Sequence, residues 1–251
     1  MLYYGASDIG KKRETNQDGF YAGTPAEGFL LLAVCDGMGG ANGGSVASSL
    51  ALKTFVDTIV ARLPLPESAE ENRDRALCDL LRRAFATAND AVFRKASEDP
   101  ALEGMGTTIV ASLIHGGKAY CVHAGDSRIY LLEDKKLVRL THDHSYVQLL
   151  IDMGEITPDE AERNPRRNII TRAVGTESAV EPDIFTREIG ENVLLLCSDG
   201  LHGYVREDSI RRILLAPRDR TPESIVSRLI AAALRKGGGD NVTAVVALPE
   251  T

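Results

Sequence analysis

The chain has 251 residues, 43% hydrophobic and 26% charged, which suits a soluble globular protein with a substantial core. Its 36 acids against 29 bases give a formal charge of −7, and no lysine–arginine run carries interleaved aromatics, which argues against nucleic acid or an anionic membrane as partner. No apolar run approaches the roughly 18 residues of a membrane span, the start lacks a secretory pattern, and Cys35, Cys78, Cys121 and Cys197 form no paired motif, so a reducing, cytoplasmic setting is expected.

Tyr3–Ser7 and Gly19–Ala22 read as short strands on either side of the polar segment Lys11–Asp18. The apolar run from Leu30 to Cys35 predicts a buried strand that ends at Asp36-Gly37, before Met38, Gly39 and Gly40. Ala47, Leu50, Ala51, Phe55 and Ile59 then recur at helical spacing, until Pro64-Leu65-Pro66 interrupts. A second helix is expected with Leu77, Leu80, Leu81, Ala84, Ala88 and Val92 on its apolar side.

The middle of the chain is rich in hairpin signals. Thr108–Ile114 and Ala119–Ala124 flank Gly116-Gly117, a dipeptide suited to a primed turn. Arg128–Leu132 and Leu137–Leu140 form a second such pair. Antiparallel units of this kind argue against a doubly wound parallel sheet. Residues 142–175 interrupt the strands as a small insertion rich in arginine (Arg163, Arg166, Arg167, Arg172). Within it Val147, Leu150 and Ile151 predict a short helix, and Thr157-Pro158-Asp159-Glu160 carries a helix-start signature. Strands resume at Ile184–Ile189 and Val193–Cys197, followed by helices near Asp208–Leu215 and Pro222–Arg235. Gly237-Gly238-Gly239 ends the last helix and leads into the strand Val242–Leu248.

Three carboxylates stand at strand ends: Asp36, Asp199 after Val193–Cys197, and Asp240 before Val242–Leu248. Oxygen ligands in that arrangement suit a hard divalent cation. Any single Asp-Gly is more often a turn. None of the five histidines, His115, His123, His142, His144 and His202, has the spacing of a zinc pair, and no context supplies a Ser-His-Asp triad.

Seven motifs in order carry a resemblance. They are Arg13-Glu14-Thr15-Asn16-Gln17-Asp18, Val34-Cys35-Asp36-Gly37-Met38-Gly39-Gly40, Gly104-Met105-Gly106-Thr107-Thr108, and His123-Ala124-Gly125-Asp126-Ser127-Arg128. Thr141-His142-Asp143-His144-Ser145, Leu196-Cys197-Ser198-Asp199-Gly200 and Gly239-Asp240-Asn241-Val242-Thr243 complete the set. With these, the chain resembles the metal-dependent serine/threonine protein phosphatases of type 2C, in their bacterial single-domain form. The resemblance implies an α+β fold, a four-layer α-β-β-α sandwich of two antiparallel sheets, in one catalytic domain over residues 1–251 with a flap at about 142–175.

It also implies roles. Asp36 would bridge two Mn²⁺ or Mg²⁺ ions, the Gly37 carbonyl would bind one of them, and Asp199 and Asp240 the other. Asp126, with Asp199, matches a third metal site of bacterial relatives. Asp18 matches the acid that orients the attacking water, and Arg13 the residue that grips phosphate, for which a planar guanidinium is suited. The expected reaction is hydrolysis of phosphoserine and phosphothreonine in proteins, opposing a cognate serine/threonine kinase, by a monomer. Two departures stand out. Met38 occupies a place where many members have histidine, and Gln17 one where many have glutamate. They leave open a metal-stabilised binding module without turnover, and a two-metal phosphodiesterase or nuclease competes as well, since two carboxylate-held metals also serve that reaction.

Overall fold

The computed structural model describes residues 1–65, 72–216 and 221–250. Its strands are β1 (Leu2–Asp8), β2 (Asp18–Ala26), β3 (Phe29–Met38), β4 (Gly106–Thr107), β5 (Ile109–His115), β6 (Lys118–Ala124), β7 (Arg128–Glu133), β8 (Lys136–Arg139), β9 (Asp183–Glu188), β10 (Val193–Cys197) and β11 (Val242–Leu248). The helices are α1 (Gly40–Val60), α2 (Arg73–Glu98), α3 (Tyr146–Asp152), α4 (Pro158–Glu162), α5 (Asp199–His202), α6 (Glu207–Leu215) and α7 (Pro222–Arg235). Pro66, part of the expected break after the first helix, lies outside the described residues.

The strands build two antiparallel sheets, ordered β1-β11-β10-β7-β8 and β2-β3-β5-β6-β9, with β4 added to β3. Central strands are buried on both faces, which is why they read as continuous apolar runs. In β3, Leu31, Ala33 and Cys35 pack against α1 and α2, whereas Leu30, Leu32 and Val34 turn to the other sheet. In β10, Val193, Leu195 and Cys197 face Leu214 of α6 and Leu229 of α7, while Leu194 and Leu196 meet β3 and β5 across the inter-sheet core. Three cores thus separate four layers, α-β-β-α, as the resemblance implied. Each large aliphatic side chain fully buried there contributes about 1.5–3 kcal/mol.

Turn chemistry sets the registers. Gly116 and Gly117 take φ of 58° and 77°, the left-handed pair that a two-residue primed hairpin needs, and His115 pairs with Lys118 across it. Asp134 and Lys135 form the equivalent β7–β8 turn without glycine, at φ of 49° and 62°. In the insertion, Ser145 caps α3 and a reciprocal box between Thr157 and Glu160 starts α4. The bridge Ser145–Ile170 closes the insertion on itself, and Thr107–Val174 ties it to the sandwich.

Two features differ from the sequence reading. Strand β3 does not stop at Asp36 but continues to Met38, because β4 pairs with Gly37 and Met38. A one-turn helix, α5, begins at Asp199, where only a strand end was expected.

Candidate metal centre

Antiparallel pairing puts Asp18 directly opposite Asp36, so their side chains leave the same face of the sheet. Asp126 follows β6, Asp199 follows β10 and Asp240 precedes β11. The topology therefore gathers at one end of the sandwich all five acids singled out in the sequence.

Three of the acids are held by donors from neighbouring segments. Asp36 N–H donates to Thr108 Oγ1 at 2.9 Å, and its carbonyl accepts from Thr107 Oγ1 and Thr108 N–H, both at 2.8 Å. Asp18 Oδ2 accepts from Ser198 Oγ at 2.8 Å and Thr243 Oγ1 at 2.6 Å. The Asp240 carboxylate accepts from Arg13 through Oδ2 and from Asn241 N–H through Oδ1, each at 2.8 Å.

Three of the other oxygens have no such partners. Asp18 Oδ1, Asp126 Oδ1 and Asp199 Oδ1 are buried and accept no hydrogen bond. A buried carboxylate oxygen without a donor is costly, and a cation is the natural counterpart. Electrostatics agree. Burial first, then the charges of Asp18, Asp199, Asp126 and Asp240, drive the Asp36 carboxyl well above the usual carboxylate range. Burial also raises Asp18 to about 7, against the hydroxyls of Thr243 and Ser198 that pull it down. Burial and the Asp199 charge raise Asp126 to about 8. Asp199 rises to about 6 through burial and Asp240, moderated by a hydrogen bond with Asp36 and by Arg13 and Arg167. Carboxylates so crowded stay partly protonated until positive charge arrives. The donor set, all oxygen, fits Mn²⁺ or Mg²⁺.

Gly37 meets a different demand. A Cβ there would lie 2.0 Å from the Gly44 carbonyl oxygen and 2.7 Å from that of Gln17, so the close passage of β3 beneath α1 requires glycine. Gln17 fills the gap as an amide, donating through Nε2 to the Gly40 carbonyl at 2.9 Å.

Among the described residues, one set of three side chains has ligating atoms all within 4.8 Å of each other, and it lies elsewhere: His123, His144 and Asp183. Sequence spacing gave no hint of it. His123 and His144 stack with ring centroids 4.5 Å apart. The place of a cation is already taken, since Arg172 NH1 sits 2.8 Å from Asp183 Oδ1 and 3.0 Å from His144 Nε2. Gly125 N–H donates to His144 Nδ1, so that nitrogen offers no lone pair to a metal.

A family model described as protein phosphatase 2C matches residues 5–223. This chain belongs to the protein phosphatase 2C family. Among its relatives, the serine/threonine protein phosphatase PstP of Mycobacterium tuberculosis is 43% identical over 248 residues, 98% of this chain and 45% of that protein. The serine/threonine phosphatase stp of Listeria monocytogenes is 35% identical over 96% of this chain and 92% of its own length. The chain thus spans about half of the longer PstP relatives and nearly all of the shorter stp. A crystal structure of the PstP catalytic domain in complex with two manganese ions matches at TM-score 0.83 and 39% identity, covering 97% of this chain and 96% of that one. A Staphylococcus aureus Stp1 structure matches at TM-score 0.89 and 34% identity, covering 100% and 96%. The two-sheet sandwich is the fold of this phosphatase family.

Sequence reasoning missed three supports of the 2C-family site. Asn241 accepts Gln17 N–H through Oδ1 at 2.8 Å and donates to the Ile9 and Thr15 carbonyls at 2.9 and 3.0 Å, fastening the segment that bears Arg13. Ser198 and Thr243 hold Asp18 and each other. His202 meets the Asp126 carbonyl. Their only signal in the sequence is that each lies within three residues of one of the acids.

Proposed function

We propose that this chain hydrolyses phosphoserine and phosphothreonine in proteins with two bound Mn²⁺ or Mg²⁺ ions, as one catalytic domain with a flap at 142–175. Asp36, the Gly37 carbonyl, Asp199 and Asp240 would hold the pair, and Asp126 with Asp199 a third ion. When bound, such ions lower the pKa of water and offset charge on a phosphoryl group. The observation that carries this reading is the set of buried, donorless oxygens on Asp18, Asp126 and Asp199 at one end of the sandwich.

The chain's own groups account for the rest. Asp18, with Oδ2 fixed by two hydroxyls, keeps Oδ1 free to accept a proton from a water aimed at phosphorus. The Arg13 guanidinium, half-exposed at the rim and paired with Asp240, is positioned to exchange that carboxylate for two phosphate oxygens. Burial of the acids keeps the local dielectric low, which strengthens both interactions. Met38 carries no proton to give, so protonation of the leaving serine or threonine oxygen falls to another group.

Support for the substrate class comes from relatives named as serine/threonine phosphatases at 43% and 35% identity. A serine/threonine kinase as opposing partner, a signalling role, a cytoplasmic setting and a monomeric state belong to the same proposal. No helix of the described residues is long and apolar enough to cross a membrane. The test is release of phosphate from a phosphothreonine peptide in Mn²⁺. Turnover lost in Asp36→Asn and Asp199→Asn supports the proposal. A wild-type protein that binds Mn²⁺ yet leaves every phosphopeptide intact would overturn it in favour of a binding module.

A further inference from the structure

One histidine links two acids of the site without touching a ligand position. His202 closes the single turn of α5, whose first residue is Asp199. Its Nε2 lies 3.0 Å from the main-chain oxygen of Asp126. A carbonyl only accepts, so Nε2 carries the proton and donates, whatever the state of the other ring nitrogen.

The helix is braced from the opposite side as well. A Cβ on Gly200 would lie 1.8 Å from the Asn241 carbonyl oxygen, so the start of α5 is pressed on the backbone that follows Asp240. Gly203 N–H returns to the Asp199 carbonyl at 2.7 Å and closes the turn. Asp199 therefore sits on a short rigid element clamped between Asn241 and Asp126. On the far side of Asp126, Ser127 Oγ bonds Thr108 Oγ1, and Arg128 holds buried Asp143 through Nε and NH2. On the α5 side, the Asp126 main-chain oxygen is held by His202. Asp126 Oδ1 and Asp199 Oδ1, both buried and without donors, are the groups whose separation this strut sets.

We infer that His202 is a positioning residue for a cation shared by Asp126 and Asp199, fixing the distance between the two carboxylates through the Asp126 main chain. The inference rests on the metal-site reading above and adds to it a residue that lies outside the ligand set.

The test is Mn²⁺ binding to the metal-free protein, followed by titration calorimetry and by the electron paramagnetic resonance of free Mn²⁺, with no substrate present. Wild type is expected to bind two ions tightly and a third more weakly. In His202→Leu the third site should weaken about tenfold or more, the usual effect of losing a partner behind a ligand, with the tight pair unchanged. His202→Gln, which places an amide N–H where Nε2 stood, should restore it. His202→Asn, too short to reach, should behave as the Leu variant does and serves if burying leucine prevents folding. Equal third-site affinity in wild type, Leu and Asn variants overturns the inference. So does a wild type that binds only two ions, which leaves the two-ion reading standing. A wild type that binds none overturns both.

Discussion

Asp18 and Asp36 stand opposite one another across the β2–β3 pair, two carboxylates on one face of a buried sheet. Like charges directly opposed in a sheet are destabilising. Their arrangement makes sense once positive charge is supplied, and it yields the first expectation. The EDTA-treated protein should lose all p-nitrophenyl phosphate hydrolysis and regain it with Mn²⁺. Mn²⁺ at 100 times its dissociation constant should stabilise the fold by about 2.7 kcal/mol per ion, read as a rise in Tm. Full activity in EDTA would contradict the metal assignment.

The pH dependence of the metal-free protein follows from the same crowding. Asp18, Asp126 and Asp199 are raised to about 7, 8 and 6, above the usual carboxylate value near 4. Between pH 4 and 8 the folded state then binds more protons than the unfolded one, so stability falls as pH rises through that window. Thermal unfolding in EDTA should give a higher Tm at pH 5 than at pH 8. Mn²⁺ should remove or reverse the slope, because it binds the deprotonated carboxylates.

Arg13 is paired with Asp240 in the free site, yet half of its side chain faces solvent. Arg13→Ala should lower kcat/KM for a phosphopeptide by about 10²-fold, the scale of one lost charged donor at a developing phosphoryl charge. Arg13→Lys should recover only part of that, since an ammonium lacks the two-pronged geometry. Tm should barely move in either variant. An unchanged kcat/KM would remove Arg13 from the substrate site.

Asn241 ties three backbone groups of residues 9–17 to the start of β11. Asn241→Ala should cost about 3 kcal/mol in urea unfolding, with buried backbone groups left unpaired. Because the freed segment carries Arg13 and leads directly into Asp18, Mn²⁺ affinity should drop too. A destabilisation without any change in metal binding would limit Asn241 to a structural role.

Gly37→Ala places a methyl group 2.0 Å from the Gly44 carbonyl oxygen, backbone against backbone, where neither side can swing away. The expected loss is about 3 kcal/mol or more of stability, with β3 forced off α1. A well-folded Gly37→Ala variant with normal Mn²⁺ binding would show that α1 has room to shift.

Much of this architecture was legible in the chain itself. The Gly116-Gly117 hairpin, the Thr157–Glu160 box and the strand-to-acid junctions all rest on local chemistry, and local chemistry is written in order along the sequence. The extension of β3 to Met38 was not, because it depends on Gly106-Thr107 arriving from nearly 70 residues away. His202 and Asn241 escaped for a similar reason. Each acts through main-chain partners distant in sequence, and a side chain bonded to a carbonyl leaves no pattern of residue types to detect. The His123–His144–Asp183 group is the converse case, a plausible ligand set that exists only in three dimensions and is neutralised there by Arg172.

The division of the sandwich into separate cores has one more result. Asp18 and Asp36 grow from the leaf backed by α1 and α2, whereas Asp199 and Asp240 grow from the leaf backed by α6 and α7. Ions shared among them would act as rivets between the two leaves. Withdrawing manganese should therefore speed amide exchange in β3 and β10 together, on opposite sides of the inter-sheet core, and the cations that drive hydrolysis would double as the fasteners of the molecule.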